Sequence, residues 1–323
     1  MPGPRYTPLA KSLSATVPFV GPETQERARG RPFAARLGAN ESVFGPSPRA
    51  IAAMEKAARD VWMYGDAENH DLRAALAVHH GVTPGNIVVG EGIDGLLGYL
   101  VRLLVGPGDA VVTSDGAYPT FNFHVAGFGG TLQKVPYKGD HEDPEALIAK
   151  AVETDAKLLY LANPDNPMGS WHGAEAMDRM IEAVPPSCLL VLDEAYLDLA
   201  PEGTAPPIEA EDPRVIRMRT FSKGYGMAGL RVGYAMGATD LITAFNKLRN
   251  HFGMGRIAQA GALAALADQG PLAGVVNPVA SARQALSRIA PLHHPTPVPP
   301  ATTLGTIDCR SDRAFAQRPQ AAP

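Results

Sequence analysis

The sequence predicts an α/β protein in which a mostly parallel, seven-stranded sheet is covered by helices on both faces. Seven short runs rich in aliphatic and β-branched residues follow one another from residue 87 onward, and stretches of helical period lie between most of them. The chain has 323 residues, of which 45% are hydrophobic, enough for one large domain and a smaller one.

The predicted strands are short and apolar and cover Ile87–Val89, Ala110–Thr113, Leu132–Val135, Leu158–Leu161, Leu189–Leu192, Val215–Met218 and Val232–Met236. The helical pattern predicts helices over residues 48–59, up to residue 80, and over 96–104, 144–152, 240–249, 256–267 and 279–289. Ligands of such sheets bind at the ends of the strands, so the residues after each run are candidates for a functional site.

Three regions are expected along the chain. Residues 1–45 are an N-terminal arm, residues 46–252 a large domain that contains the sheet, and residues 253–323 a short, incomplete C-terminal domain. The proline-rich sequence from residue 291 excludes a helix or an interior strand there, and only residues 306–309 suggest a strand.

Charge and composition exclude several functions. The net charge is -4 without a cluster of lysine and arginine, which argues against a nucleic-acid partner. No signal peptide or apolar membrane span is present, and the two cysteines lie far apart, so a soluble cytoplasmic protein is expected. The nine histidines show no metal-ligand spacing, so no metal is predicted.

The segment Thr220–Gly233 places a lysine among hydroxyl groups and glycines, with an arginine further on. This pattern suggests a site for a phosphate and a carbonyl group, with Thr220, Ser222 and Arg231 holding phosphate oxygens and Lys223 beside an electrophilic carbon. The alternative is an ordinary surface lysine on a loop.

The string Thr-Phe-Ser-Lys-Gly-Tyr-Gly-Met-Ala-Gly, continued by Leu-Arg-Val-Gly, resembles the pyridoxal-phosphate attachment signature of class I/II aminotransferases. The resemblance implies the aspartate-aminotransferase fold (fold type I) and pyridoxal 5'-phosphate as cofactor. It also implies that Lys223 attaches the cofactor covalently and serves as general base, and that Arg231 binds the cofactor's phosphate.

A glycine turn, Gly90-Glu-Gly-Ile-Asp-Gly95, ends the first run and opens a helix. Free N–H groups at a helix N-terminus favour a bound phosphate, although such turns are common. The turn is similar to one in the aminotransferases, which implies cofactor contacts from Gly92, Ile93 and Asp94. Ile93 and Gly95 depart from the family pattern, so backbone contacts from Ile93 and Asp94 are expected instead of a serine hydroxyl contact.

An acidic residue ends the fifth run in Val191-Leu-Asp-Glu-Ala-Tyr196. A buried carboxylate is costly without a cation, and a protonated pyridine nitrogen would be such a partner for Asp193. The resemblance implies that Tyr196 and Asn166, the latter in Asn163-Pro-Asp-Asn-Pro-Met-Gly169, share the cofactor's phenolic oxygen. Glu194 has no assigned role and is interpreted as solvated.

Two tyrosines complete the predicted site. The resemblance implies that Tyr118 stacks on the pyridine ring, although an aromatic residue at a strand end is often core filler. It also implies that Tyr64 crosses to the partner subunit's cofactor phosphate, which would require a homodimer. Ordinary packing is the alternative for Tyr64.

The segment Leu37–Pro48, with Asn40-Glu41, is similar to the opening of histidinol-phosphate aminotransferases. This implies transamination of an amino acid with glutamate and 2-oxoglutarate as the co-substrate pair. An aromatic-amino-acid aminotransferase and a decarboxylase or lyase of the same fold remain alternatives. A catalytically impaired cofactor-binding remnant is a third, because no counterpart of the family's substrate-carboxylate arginine can be assigned near the C-terminus.

Overall fold

A computed structural model describes residues 3–15, 19–36, 38–289, 296–297 and 307–308. Each of the seven predicted runs forms a strand of one sheet. The strands are β1 (Ile87–Gly90), β2 (Ala110–Ser114), β3 (Thr131–Val135), β4 (Leu158–Ala162), β5 (Leu189–Asp193), β6 (Val215–Thr220) and β7 (Gly233–Met236). The predicted α/β class with a seven-stranded sheet is therefore confirmed.

The strand order is β1-β7-β6-β5-β4-β2-β3, and every pair among β2 to β6 is parallel. Only β7 runs antiparallel to its neighbours, and its first residue, Gly233, pairs with both Gly90 and Thr220. This register brings the end of β1, the end of β6 and the start of β7 to one edge of the sheet.

Eleven α-helices are present among the described residues. They are α1 (Pro8–Ser12), α2 (Pro22–Arg29), α3 (Pro48–Ala57), α4 (His70–His80), α5 (Gly92–Leu104), α6 (Pro119–Gly127), α7 (Pro144–Glu153), α8 (Ala174–Ala183), α9 (Thr239–Ala244), α10 (Arg256–Leu266) and α11 (Gln269–Ile289). None of the helices in this described part is both long and apolar enough to cross a lipid bilayer.

The predicted helix boundaries hold best where capping is clear. Ser47 caps α3 by accepting a hydrogen bond from the Ala50 amide at 3.1 Å, with Pro48 in the first turn. Three boundaries are wrong. Helix α5 begins at Gly92, four residues before the predicted start, and α9 gives way to a 3-10 turn at Phe245–Lys247. Helix α11 begins at Gln269 instead of residue 279, because it continues through Pro278.

Both faces of the sheet are buried. Successive side chains along each strand point to opposite faces, and both faces pack against helices. On β4, Leu158 and Tyr160 pack against α5 and α6, whereas Leu159 and Leu161 pack against α7 and α8. A third apolar cluster joins β1 and β7 to helices α3, α4 and α10. Helices therefore cover the sheet on both sides and leave the strand ends for other groups.

Beyond α11, β8 (Thr296–Pro297) pairs antiparallel with β9 (Ile307–Asp308). The strand β9 falls within the strand predicted at residues 306–309. The other expectations for residues 291–323 lie outside the described residues. The helices α1 and α2, in the predicted arm, contain no buried residue, and the three-region division of the chain stays a prediction.

Candidate active site

Lys223 lies in the loop after β6, at the edge where β1, β6 and β7 meet. Its Nζ donates to the backbone carbonyls of Asn40 at 3.2 Å and Ala39 at 3.4 Å, and lies 5.2 Å from the centroid of the Tyr196 ring. Burial and the nearby Arg231 lower the pKa of the lysine to about 8, against the opposing effect of Asp193 and Glu41. The amine is therefore easily deprotonated, as a nucleophile or general base must be. A solvated surface lysine would not have these surroundings.

Arg231 and the first turn of α5 form a cradle of positive charge. Arg231 has a left-handed backbone (φ 56°), and its Nη1 donates to the Ser222 hydroxyl and to the Ala228 carbonyl, both at 3.2 Å. Its guanidinium packs so closely on Gly92 that a Cβ at that position would lie 2.3 Å from Nη2. The helix N-terminus, the guanidinium and the hydroxyl together fit a phosphate group.

Thr220 fixes the backbone beside this cradle. Its Oγ1 accepts a hydrogen bond from the Ser222 amide at 3.1 Å and lies 2.9 Å from the Ser222 hydroxyl. Thr220 Oγ1 also donates to the carbonyl of Val232 at 3.0 Å. The cross-connection between the two chain segments holds Ser222 and Arg231 next to each other.

Asp193 ends β5 and is 6% exposed. Its carboxylate accepts from the Tyr160 hydroxyl at 2.7 Å and from the Ala195 amide at 2.9 Å. Burial raises the pKa of Asp193, while the hydrogen bonds and Lys223 oppose that shift. Among the described residues Asp193 forms no ion pair, so a cationic ring nitrogen would supply the charge that this buried acid lacks.

Asn166 and Tyr196 meet from two different loops. The amide Nδ2 of Asn166 lies 3.5 Å from the Tyr196 hydroxyl, and Tyr196 is 3% exposed. Burial raises the pKa of this tyrosine, and the nearby side chain of Asn40 opposes that shift. Two donors directed at one place fit an anionic oxygen. The influence of Asn40 on Tyr196 was missed at the level of sequence, where only a family likeness marked that residue.

Tyr118 precedes α6 and packs partly against the core. Burial raises the pKa of its hydroxyl, and the charges of Asp94, Asp193 and Arg231 also act on it. The structure therefore brings Tyr118 near the predicted site. Asp94 pairs at 3.2 Å with His124, a residue that the sequence patterns did not single out.

Tyr64 lies apart from this group. The residue is 78% exposed, its ring packs at a tilt against Phe252 with a centroid distance of 4.7 Å, and its carbonyl accepts from Arg256 at 2.7 Å. The role assigned to Tyr64 in a partner's site stays a prediction.

The interpretation of Glu194 as solvated is wrong. This residue is 2% exposed, and its carboxylate pairs with Arg217 at 2.6 Å and with Arg219 at 2.8 Å. Both arginines lie on β6, two residues apart, so they point to the same face of the sheet. Two arginines at alternate positions of one strand, after an acidic residue at the end of the preceding strand, were the sequence feature that could have predicted this buried ion-pair cluster. The cluster joins the end of β5, which carries Asp193, to the end of β6, which leads to Lys223.

The chain belongs to the aminotransferase class I and II family, whose model matches residues 35–287. The fold is that of the aspartate aminotransferases, and the chain is a pyridoxal-phosphate-dependent aminotransferase. It is similar to histidinol-phosphate aminotransferase of Sinorhizobium meliloti, solved in complex with pyridoxal 5'-phosphate. The two are 54% identical with a TM-score of 0.93, over 97% of this chain and 84% of that one.

Two further relatives are less similar to this chain than that protein. Histidinol-phosphate aminotransferase of Anaeromyxobacter sp. is 38% identical over 276 residues, which cover 84% of this chain and 75% of the relative. The aromatic amino acid aminotransferase of Nocardia farcinica is 36% identical over 281 residues, covering 85% of this chain and 78% of the relative.

Proposed function

We propose that this aminotransferase transfers the amino group of histidinol phosphate to 2-oxoglutarate. The observation that carries the proposal is the convergence of Lys223, Asp193 and Arg231 at one sheet edge, in a chain similar to a histidinol-phosphate aminotransferase over nearly its whole length. The identity of 54% supports the choice of substrate within the family.

The residues of the site fit the cofactor, because each part of the cofactor would be held by its own group of residues. Arg231, Ser222, Thr220 and the amides of Gly92, Ile93 and Asp94 would hold the phosphate. Asp193 would hold the pyridine nitrogen, Asn166 and Tyr196 the phenolic oxygen, and Tyr118 one face of the ring. Bound there, pyridoxal phosphate supplies an electron sink for the charge left when the substrate's Cα loses a proton.

Lys223 is the proposed attachment point and general base. An amine with a pKa near 8 can release a proton close to neutral pH and take one from the substrate's Cα. The carbonyls of Ala39 and Asn40 hold Nζ in the cluster, and Glu41 acts on its charge. The amine would then deliver that proton to the cofactor's C4′ carbon without leaving the site.

A homodimer is proposed in which Tyr64 of the partner subunit completes the phosphate site. An exposed apolar group near Tyr64 supports this, because Val61 is 59%, Trp62 79% and Phe252 54% exposed. A cytoplasmic location is proposed as well, supported by the free, buried thiol of Cys188.

The test of the proposed substrate is a direct comparison. The purified chain with pyridoxal phosphate and 2-oxoglutarate receives histidinol phosphate, phenylalanine or tyrosine, and glutamate formation is followed. We expect kcat/KM for histidinol phosphate to exceed that for either aromatic amino acid by about tenfold or more. A preference for phenylalanine or tyrosine would favour the second candidate, an aromatic-amino-acid aminotransferase, which the Nocardia farcinica relative supports.

A further inference from the structure

Two buried carboxyl groups lie next to the turn that carries Asn166, and the mechanism above does not use them. Glu142 immediately precedes the Asp143 cap of α7 and is 1% exposed, and Asp165 lies in the turn after β4 and is 2% exposed. Burying an acid is costly, and burying two in contact is more so. Their placement therefore needs a physical explanation.

Glu142 is held by three hydrogen bonds. Its Oε2 lies 2.5 Å from the Ser114 hydroxyl at the end of β2, and its Oε1 accepts from the Ala162 amide at the end of β4 at 2.9 Å. Its backbone carbonyl accepts from Nε2 of His172 at 2.9 Å. The carboxyl group thus connects two parallel strands immediately before the Asn163–Gly169 turn.

Asp165 organises that turn from inside. Its carboxylate accepts from the Met168 amide at 3.1 Å and from the Tyr137 hydroxyl at 3.0 Å. Its backbone amide donates to the carbonyl of Ser170 at 2.9 Å, and its carbonyl accepts from the Gly169 amide at 3.1 Å. The next residue is Asn166, whose amide reaches Tyr196, so a displacement of Asp165 displaces Asn166 directly.

The two carboxyl groups hydrogen-bond to each other, and among the described residues neither forms an ion pair. Burial and mutual repulsion raise the pKa of Glu142 to about 8, and burial raises that of Asp165 to about 6. The other titratable groups that act on this pair are Tyr137, Tyr160 and Tyr196. His141 and Asp143 act on His172, whose Nε2 donates to the backbone carbonyl of Glu142.

We propose that Glu142 and Asp165 share one proton at neutral pH and act as a positioning pair, which holds the turn so that Asn166 reaches the cofactor's phenolic oxygen. When base removes the proton, two carboxylates face each other without a cation, and their repulsion displaces the turn. The effect on catalysis rests on the proposed function through Asn166, whereas the shared proton does not.

The proton is tested first by infrared difference spectroscopy on the full chain with bound cofactor. In the wild type, a carboxylic-acid carbonyl band should be lost as the pH rises from about 6.5 to about 9.5. This band should be missing in Glu142→Gln, whose amide can still donate to Asp165, and unchanged in Glu145→Gln, an exposed position in α7. A band that persists in Glu142→Gln would overturn the proposal.

A second variant keeps the test valid if Glu142→Gln does not fold. Asp165→Asn keeps the shape of the side chain and removes the neighbouring charge, so the carboxylic-acid band of Glu142 should be lost at a lower pH than in the wild type. An unchanged midpoint would show that the two groups are not coupled, and the pair would then be rejected.

The positioning role is tested by the pH dependence of kcat. Wild type and Glu145→Gln should lose activity on the alkaline side with the same midpoint as the infrared band, whereas Glu142→Gln should keep its activity there. In an Asn166→Ala background, Glu142→Gln should no longer change the profile. An identical alkaline limb in wild type and Glu142→Gln would refute positioning. Turnover of a different amino donor, with the band and its coupling to kcat unchanged, would refute only the proposed substrate.

Discussion

Gly92→Ala tests the phosphate cradle, because this glycine faces the arginine that the cofactor's phosphate would need. The added Cβ would lie 2.3 Å from Nη2 and 2.9 Å from Cζ of Arg231, so the guanidinium must move. The backbone of Gly92 also has φ +79°, which costs an alanine about 1–2 kcal/mol. Loss of one charge-assisted hydrogen bond to the phosphate costs about 1.5–3 kcal/mol. We therefore expect a cofactor Kd about tenfold to a hundredfold weaker.

The assay is a titration of the cofactor-free chain with pyridoxal phosphate, followed by absorbance, together with thermal unfolding of both forms. The matched control is Gly229→Ala, in the segment that leads to Arg231, where a Cβ would meet no atom within 4 Å. This variant should bind the cofactor as the wild type does. If Gly92→Ala also bound the cofactor with wild-type affinity, the assignment of Arg231 and the start of α5 to the phosphate would be wrong.

Lys223→Met should abolish covalent fixation of the cofactor by borohydride; fixation at the wild-type level would place the attachment elsewhere. The pKa of this lysine falls from 10.5 to about 8 on folding, so the unfolded chain holds one more proton between those values, and stability rises with pH there. Below pH 8 the buried, charged lysine destabilises the folded chain to its full extent. Denaturant unfolding of the cofactor-free chain at pH 7 should therefore show Lys223→Met more stable by about 2–3 kcal/mol. Glu194→Ala leaves Arg217 and Arg219 buried without their partner and should destabilise the chain by about 3–5 kcal/mol in the same experiment. The control Glu175→Ala removes an exposed pair with Arg179 and should change little; equal losses in the two variants would contradict the reasoning.

Local patterns were sufficient to predict the strands and most of the helices. A run such as Leu158–Leu161 is apolar on both faces, which suits a strand buried between two helical layers, and no distant residue is needed to recognise it. Helix α3 was equally predictable, from the N-cap residue Ser47 and from Pro48 in the first turn. The helix α11 was not, because a proline inside a helix is tolerated or excluded according to what packs around it.

The chemistry of the candidate residues was likewise visible in the sequence, since a lysine among hydroxyls and glycines and an acid after an apolar run are local features. That these residues meet in one site was not visible in the sequence. The antiparallel insertion of β7 places Gly233 opposite both Gly90 and Thr220, and so brings Arg231 against Gly92. No local pattern specifies that register.

Whether an acidic residue is buried or exposed is likewise decided by the tertiary structure. The sequence alone determined that this chain would carry a sheet, a phosphate-type loop and an acid at a strand end, because those depend on neighbours along the chain. Only the tertiary structure decided that Glu194 lies between two arginines and that Glu142 faces Asp165. The charge state of a carboxyl group depends on the solvent and the ions around it, and these are set by residues far away in the sequence.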